Sequence, residues 1–232
     1  MTQSSQTQAE AQKRIAALEA AVEIRDGMTL GLGTGSTVYY LVEEVGRLIA
    51  EGASLQAAVT SKGTEALAAR WHIPLLPIEE VGRIDLAIDG VDAVNDRFQS
   101  VKGGGGALFR EKIIAQHADR VIWIMDESKL VTDLSRTLLP VEVLPFGWRF
   151  VAARIESLGF EVHPRMRDGR LFVTDNNNYI LDLLSRESVD YQEAASRLKL
   201  MTGVLETGFF DSICEQIIIG RDQGAERRRN RL

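Results

Sequence analysis

Short apolar runs recur along this chain, and each ends in glycines, hydroxyls or carboxylates. Met28–Leu32 runs into Gly33-Thr34-Gly35-Ser36-Thr37, and Leu55–Thr60 runs into Ser61-Lys62-Gly63-Thr64-Glu65. Leu86–Ile88 runs into Asp89-Gly90-Val91-Asp92, and Val121–Met125 into Asp126-Glu127-Ser128-Lys129. Helical spacing follows the first two turns: Val38, Leu41, Val45, Leu48 and Ile49 form one stripe, and an alanine-rich stretch extends to Arg70. Strand, polar turn and helix in succession build a parallel sheet whose carboxyl edge collects the turns, and that edge is where open α/β sheets bind ligands. The expected fold is α/β, built on a mostly parallel sheet.

A further polar segment is Lys102-Gly103-Gly104-Gly105-Gly106, followed by good helix-forming sequence from Ala107 to His117. Four glycines contribute no packing and lose the most entropy on ordering, so such a run belongs where the backbone must turn and expose its N–H groups. Opening a helix, it is suited to an anion or oxyanion. Lys102 just before the run and Glu111 early in the helix add a cation and a carboxylate. The Gly33–Thr37 turn lacks the Gly-Lys-Ser/Thr ending of a nucleotide phosphate loop, and Ser36 stands where a dinucleotide fingerprint needs its third glycine. Amides plus the hydroxyls of Thr34, Ser36 and Thr37 suit a single phosphate; the alternative is a Ser/Thr helix cap without a ligand. Asp89 and Asp92 are open to three readings: a metal site, an acid–base pair or a turn. Their place on the same sheet edge as the other clusters favours a functional role over a bare turn.

Leu138–Pro145 carries two prolines and interrupts the strand–helix rhythm. A smaller α+β domain is expected over 134–207, inserted between 1–133 and 208–232 of the main α/β domain. Within it Trp148–Leu158 and Tyr191–Lys199 read as helices. Leu171–Thr174 and Tyr179–Leu183 read as a hairpin turned by Asp175-Asn176-Asn177-Asn178, and Gly203–Gly208 as a strand and its exit. Ile217–Ile219 returns to the main sheet, and Ile73–Leu76 reads as another strand. At the amino end, Ile15, Leu18 and Val22 mark an amphipathic helix that carries Lys13 and stops at Asp26-Gly27.

The net charge of −6 argues against broad nucleic-acid binding, which depends on neutralising phosphates. The basic end, Arg227–Arg231, reads as a solvated tail. Cys214 is the only cysteine and lies in apolar sequence, so it reads as core in a reducing compartment. Met1–Glu10 lacks the layout of a signal peptide, and no apolar run approaches a membrane span. A cytoplasmic protein without membrane partners is expected.

Taken in order, Gly33-Thr34-Gly35-Ser36-Thr37, Asp89-Gly90-Val91-Asp92, Lys102-Gly103-Gly104-Gly105, Arg110-Glu111-Lys112, Asp126-Glu127-Ser128-Lys129, Leu139-Pro140-Val141-Glu142-Val143 and Thr174-Asp175-Asn176 closely resemble the ribose-5-phosphate isomerase A family. The resemblance covers nearly the whole chain. It implies a Rossmann-like main domain, a small α+β domain framing the cleft, and a homo-oligomer, dimer or tetramer. It also implies interconversion of D-ribose 5-phosphate and D-ribulose 5-phosphate in the pentose phosphate pathway, with no metal or other cofactor. By position, Glu111 matches the proton acceptor. Thr34, Gly35, Ser36 and Thr37, Asp89, Gly90, Val91 and Asp92, Lys102, Gly103, Gly104 and Gly105, and Lys129 match substrate-binding segments, with Lys13 a further match to a phosphate-reaching lysine. Chemically, Asp89 and Lys102 join Glu111 as catalytic candidates. Two departures stand out: Ala93 replaces an acidic residue, with an expected effect on charge at the pocket rim, and Gly106 stands where alanine is common. The competing readings are an amino-sugar-phosphate deaminase, which needs a relay histidine that His72, His117 and His163 do not supply near the clusters, and a sugar-phosphate-binding regulator domain, which needs no base at position 111.

Overall fold

The computed structural model describes residues 3–230. The chain begins with α1 (Gln3–Ala21), β1 (Thr29–Leu32), α2 (Ser36–Ala50), β2 (Gln56–Val59), α3 (Lys62–Arg70) and β3 (Leu86–Gly90). Two short strands, β4 (Ala93–Val94) and β5 (Ser100–Val101), precede α4 (Leu108–His117) and β6 (Val121–Asp126). Then come β7 (Leu139–Val143), α5 (Trp148–Glu156), β8 (Phe160–Pro164), β9 (Met166–Arg167), β10 (Arg170–Leu171), β11 (Tyr179–Ser185) and α6 (Tyr191–Lys199). The chain closes with β12 (Val204–Thr207), β13 (Phe209–Phe210), β14 (Gln216–Arg221) and β15 (Gly224–Arg229). These elements form two compact units: Met1–Val91, Arg110–Leu130 and Ser212–Leu232 make the larger, Asp92–Phe109 and Val131–Asp211 the smaller.

The larger unit is built on one six-stranded sheet in the order β15-β14-β6-β3-β1-β2. All neighbours pair in parallel except β14 and β15. Every residue of β1 and β6 is buried, which is why these strands read as unbroken apolar runs and not as alternating ones. Strand order reverses direction between β1 and β3, and a crevice outside the carboxyl ends at such a switch point is the usual ligand site of this architecture. The core unites Leu30, Leu32, Ile88, Ile122, Ile124 and Ile218 from the sheet with Ala16, Ala17 and Ala20 of α1 and Leu41, Val42 and Val45 of α2.

Two expectations are corrected in this unit. Ile73–Leu76 forms no strand; Pro74 lacks the N–H a ladder needs, and only a single bridge joins Leu75 to Ala57. The basic end is no loose tail through residue 230: β15 pairs with β14 over Gly224–Arg229 as a charged edge strand. Arg227 binds Glu19 of α1 and Glu23 in the turn just after it, and Arg120 binds Glu23 and Glu215. Arg231 lies outside the described residues. Burial opposes ionisation of Glu23, but the hydrogen bonds from Arg227 and Arg120 outweigh it and hold the carboxyl below its ordinary 4.5. A lowered folded-state pKa contributes stability above the ordinary value and loses it as pH falls through the lowered one. Arg227→Ala is therefore expected to cost up to about 1 kcal/mol at neutral pH and low salt. Thermal unfolding of the two proteins should converge once pH falls well below 4.5.

The smaller unit is α+β. Its main sheet is antiparallel, in the order β12-β7-β11-β8. Val141, Val143, Leu181 and Leu183 pack there against Val151 and Ile155 of α5 and Tyr191 and Leu198 of α6. The proline-containing stretch read as a boundary is an inner strand, β7, with all five residues buried. The expected hairpin is also corrected. Strand β11 pairs with β7 and β8, whereas Arg170–Leu171 pairs with β9 and only Val173 bridges to Tyr179. The turn itself forms, with Thr174 N–H donating to Asn178 O and Asn177 at φ +62°. A fully buried carboxylate draws it onto β7: Glu142 Oε1 accepts from Thr174 Oγ1 (2.8 Å), Asn178 Nδ2 (2.9 Å) and Asn176 Nδ2 (3.2 Å). Strands β4 and β5 form a three-stranded sheet with β13, which assigns Asp92–Phe109 to this unit, unlike the expected division at 133/134 and 207/208.

Candidate active site

At the switch point of the larger unit, Asp89 is the next-to-last residue of β3 and is buried. Its Oδ1 accepts the N–H groups of Thr34 (3.0 Å) and Gly90 (2.7 Å). Two amides on one carboxylate oxygen fix its direction. Thr34 Oγ1 lies 2.7 Å from Thr60 Oγ1 and 2.8 Å from Ser61 Oγ, and Thr64 Oγ1 donates to Gly33 O at 2.7 Å. Thr34 is thus committed to the β2–α3 turn. The N-cap of helix α2 is accordingly Gly35, with no side-chain cap, so the reading of this turn as a Ser/Thr cap does not hold. Its first-turn amides lie beside the hydroxyls of Ser36 and Thr37, the set a phosphate uses.

Glu111 occupies the first turn of α4 and is 4% exposed. A carboxylate there is favoured by the helix dipole. Lys129 ends a short helical turn, Glu127–Lys129, directly after β6, and Asp126 Oδ1 caps that turn through Ser128 N–H. Lys13 donates to Glu10 Oε1 (2.6 Å), whose other oxygen accepts from Tyr40, one helical turn after Ser36.

In the smaller unit, Asp92 Oδ2 accepts the N–H of Gly104 at 2.7 Å. Lys102 is 2% exposed; its backbone N–H donates to Gly208 O, and its ammonium lies 5.7 Å from the Phe210 ring centroid. Gly103 and Gly106 have φ of +110° and +83°, and Gly106 N–H closes a turn on Gly103 O. A Cβ on Gly106 would lie 2.3 Å from Phe172, so the alanine common in the resembled family cannot be accommodated here without moving that ring. Ala93 is buried in the apolar core of this unit and is not at a rim, which corrects the expected charge effect.

Residues 56–224 match the family model described as ribose 5-phosphate isomerase A (phosphoriboisomerase A). This chain belongs to the ribose 5-phosphate isomerase A family. Ribose-5-phosphate isomerase A of Bacillus mycoides is 47% identical over 213 residues, 91% of this chain and 96% of its own length. That of Sphingopyxis alaskensis is 47% identical over 216 residues, 93% and 95% of the two chains. Among solved structures, ribose 5-phosphate isomerase from Plasmodium falciparum superposes with a TM-score of 0.92 at 35% identity, covering 96% of this chain and all of that one. A D-ribose-5-phosphate isomerase in complex with phospho-erythronic acid gives 0.91 at 33% identity, covering 95% and 99%.

In this isomerase-family chain, four contributors are not among the candidate site residues that the sequence offers. Thr60 and Thr64 bind Thr34 and Gly33, and the signal was present, since hydroxyls follow β2 as they follow β1. Phe172 covers Gly106 from a loop. Arg165 Nη1 donates to the carbonyls of Gly103 (2.6 Å) and Gly104 (3.0 Å) while its guanidinium is ion-paired with Asp182; nothing local in the sequence pairs positions 62 residues apart. The histidines serve elsewhere: His117 Nδ1 meets its own helix at Ile113 O, and His163 is an exposed neighbour of Glu161. Among the described residues, no group of three His, Cys, Asp or Glu side chains is placed to hold a metal ion.

Proposed function

We propose that this chain interconverts D-ribose 5-phosphate and D-ribulose 5-phosphate through an enediolate, with Glu111 carrying the proton between C2 and C1. One base suffices when it takes the proton and returns it on the same face. Removing the C2 proton from the open-chain aldehyde moves charge onto O1. Lys102 and, of the loop amides, those of Gly103 and Gly105 are assigned to that charge, since Gly104 N–H is held by Asp92 and Gly106 N–H by Gly103 O; each such donor is worth roughly 3–4 kcal/mol. Asp89 handles hydroxyl protons during ring opening and between O1 and O2, and Asp92, whose carboxylate also holds Gly104, orients sugar hydroxyls. Gly35, Ser36 and Thr37, with Lys129 and Lys13, hold the phosphate; Thr34 shapes the turn, and Gly90 and Val91 complete the binding segment. No metal or other cofactor takes part.

The observation that carries the reading is Glu111 itself: a buried carboxylate in the first turn of the helix that the glycine loop opens. The enzyme is proposed as a cytoplasmic homo-oligomer, dimer or tetramer. The lone, buried thiol of Cys214 supports the compartment, and large exposed apolar side chains on the smaller unit, Phe146, Phe150 and Leu200, support the assembly. A coupled assay with ribose 5-phosphate tests the function: turnover unchanged by a chelator is expected. No turnover would overturn the proposal, and chelator-sensitive turnover would give Asp89 and Asp92 a metal. Ser36→Ala with Thr37→Ala is expected to raise KM at least tenfold and to leave kcat within about threefold, since hydrogen bonds to a charged group are worth about 1.5–3 kcal/mol each. An unchanged KM would remove the phosphate from this turn.

A further inference from the structure

The glycine loop is held from one side by a cation that no motif points to. Arg165 is only 15% exposed at its side chain and is locked by Asp182, with Nε donating to Oδ2 at 2.8 Å and Nη2 to Oδ1. Its Nη1 donates to two successive carbonyls, Gly103 O at 2.6 Å and Gly104 O at 3.0 Å. A trans peptide points its C=O and N–H in opposite directions, and the described chain has no cis bonds. The Gly103–Gly104 peptide is therefore pinned at both ends, its carbonyl on Arg165 and its N–H on Asp92 Oδ2 (2.7 Å). The same rule applied to Gly104–Gly105 sends the Gly105 N–H away from the guanidinium, at an exposed position of the loop.

We infer that Arg165, held by Asp182, is a positioning residue that fixes the loop's peptide planes and presents the Gly105 amide as its oxyanion donor. Left alone, a run of four glycines has many accessible peptide orientations, and a donor must be set before charge develops to lower a barrier. Lysine cannot replace this arginine, because one ammonium does not bridge two carbonyls and a carboxylate in a planar fork. The inference rests on the isomerase reading above.

The test compares wild type with Arg165→Ala, Arg165→Lys and Asp182→Asn. Arg165→Ala should lower kcat roughly 10- to 100-fold with KM for ribose 5-phosphate changed less than threefold. The inhibition constant of phospho-erythronic acid, whose carboxylate stands in for the enediolate oxygens, should rise in step with the loss in kcat/KM, while that of inorganic phosphate stays within twofold. Arg165→Lys should recover little, and Asp182→Asn should lie between it and wild type. Independently of turnover, the Gly104 amide should exchange with solvent at least tenfold faster in Arg165→Ala. A folded Arg165→Ala with normal kcat and normal Gly104 exchange overturns the inference, as does full recovery by lysine. If Arg165→Ala does not fold, Asp182→Asn with wild-type kcat and Gly104 exchange overturns it. Wild-type protein without turnover of ribose 5-phosphate defeats the isomerase reading instead, and Gly104 exchange then still decides whether Arg165 fixes the loop.

Discussion

Glu111→Gln is expected to fold like the wild type and to lose turnover by about 10³- to 10⁴-fold, the upper part of what a positioned general base contributes. The amide matches the carboxylate in shape, so the buried side chain keeps its volume and α4 keeps its first turn. What disappears is the favourable interaction of a negative charge with the helix N-terminus, roughly 0.3–1 kcal/mol, too little to unfold the protein. What also disappears is the only step the side chain is asked to perform, because an amide does not accept the C2 proton at neutral pH. Two measurements separate this from a binding defect: kcat should collapse while KM stays within a few-fold, and deuterium placed at C2 should cease to wash out into solvent. A folded glutamine variant with kcat within tenfold of wild type would place the base elsewhere.

The parts of this molecule legible in its sequence are those fixed by local pattern. Strands β1, β3 and β6 lie inside the parallel sheet, so their residues are apolar in succession, and the turns that follow them had to be polar and glycine-rich. Asp89 was visible for that reason, and Glu111 because four successive glycines mark the start of the helix that carries it. Pairings between distant positions were not. Strands β4, β5 and β13 are two residues long and exist only because they pair with one another. Strand β15 reads as a basic tail because its arginines gain their meaning from Glu19 and Glu23, about two hundred residues earlier. The turn after Thr174 carried the right residues, yet its partner was Glu142 on β7 and not the neighbouring strand. Arg165 is the sharpest case, a residue without local signature that grips the most conspicuous motif in the chain.

Gly33→Ala should be nearly as damaging as loss of the base, and the contrast with Gly35 shows why. A Cβ on Gly33 would fall 1.9 Å from both Cγ and Oδ1 of Asp89, a distance no side chain tolerates. The carboxylate is buried and cannot swing away without giving up the N–H groups of Thr34 and Gly90. Overpacking costs about 1–3 kcal/mol, and each hydrogen bond to a charged group about 1.5–3 kcal/mol, so a loss of roughly 3 kcal/mol in stability is expected. Displacing Asp89 should also lower kcat at least about 100-fold, if its part in the proton transfers is as proposed. At Gly35 a Cβ meets nothing within 4 Å, and the cost of alanine there is the backbone alone, held at φ +119°. That strain is worth about 1–3 kcal/mol and falls on the phosphate turn, so Gly35→Ala should act mainly on KM. Urea unfolding and steady-state kinetics on the two variants make the contrast measurable: equal effects on kcat would mean that Asp89 is not the group Gly33 makes room for.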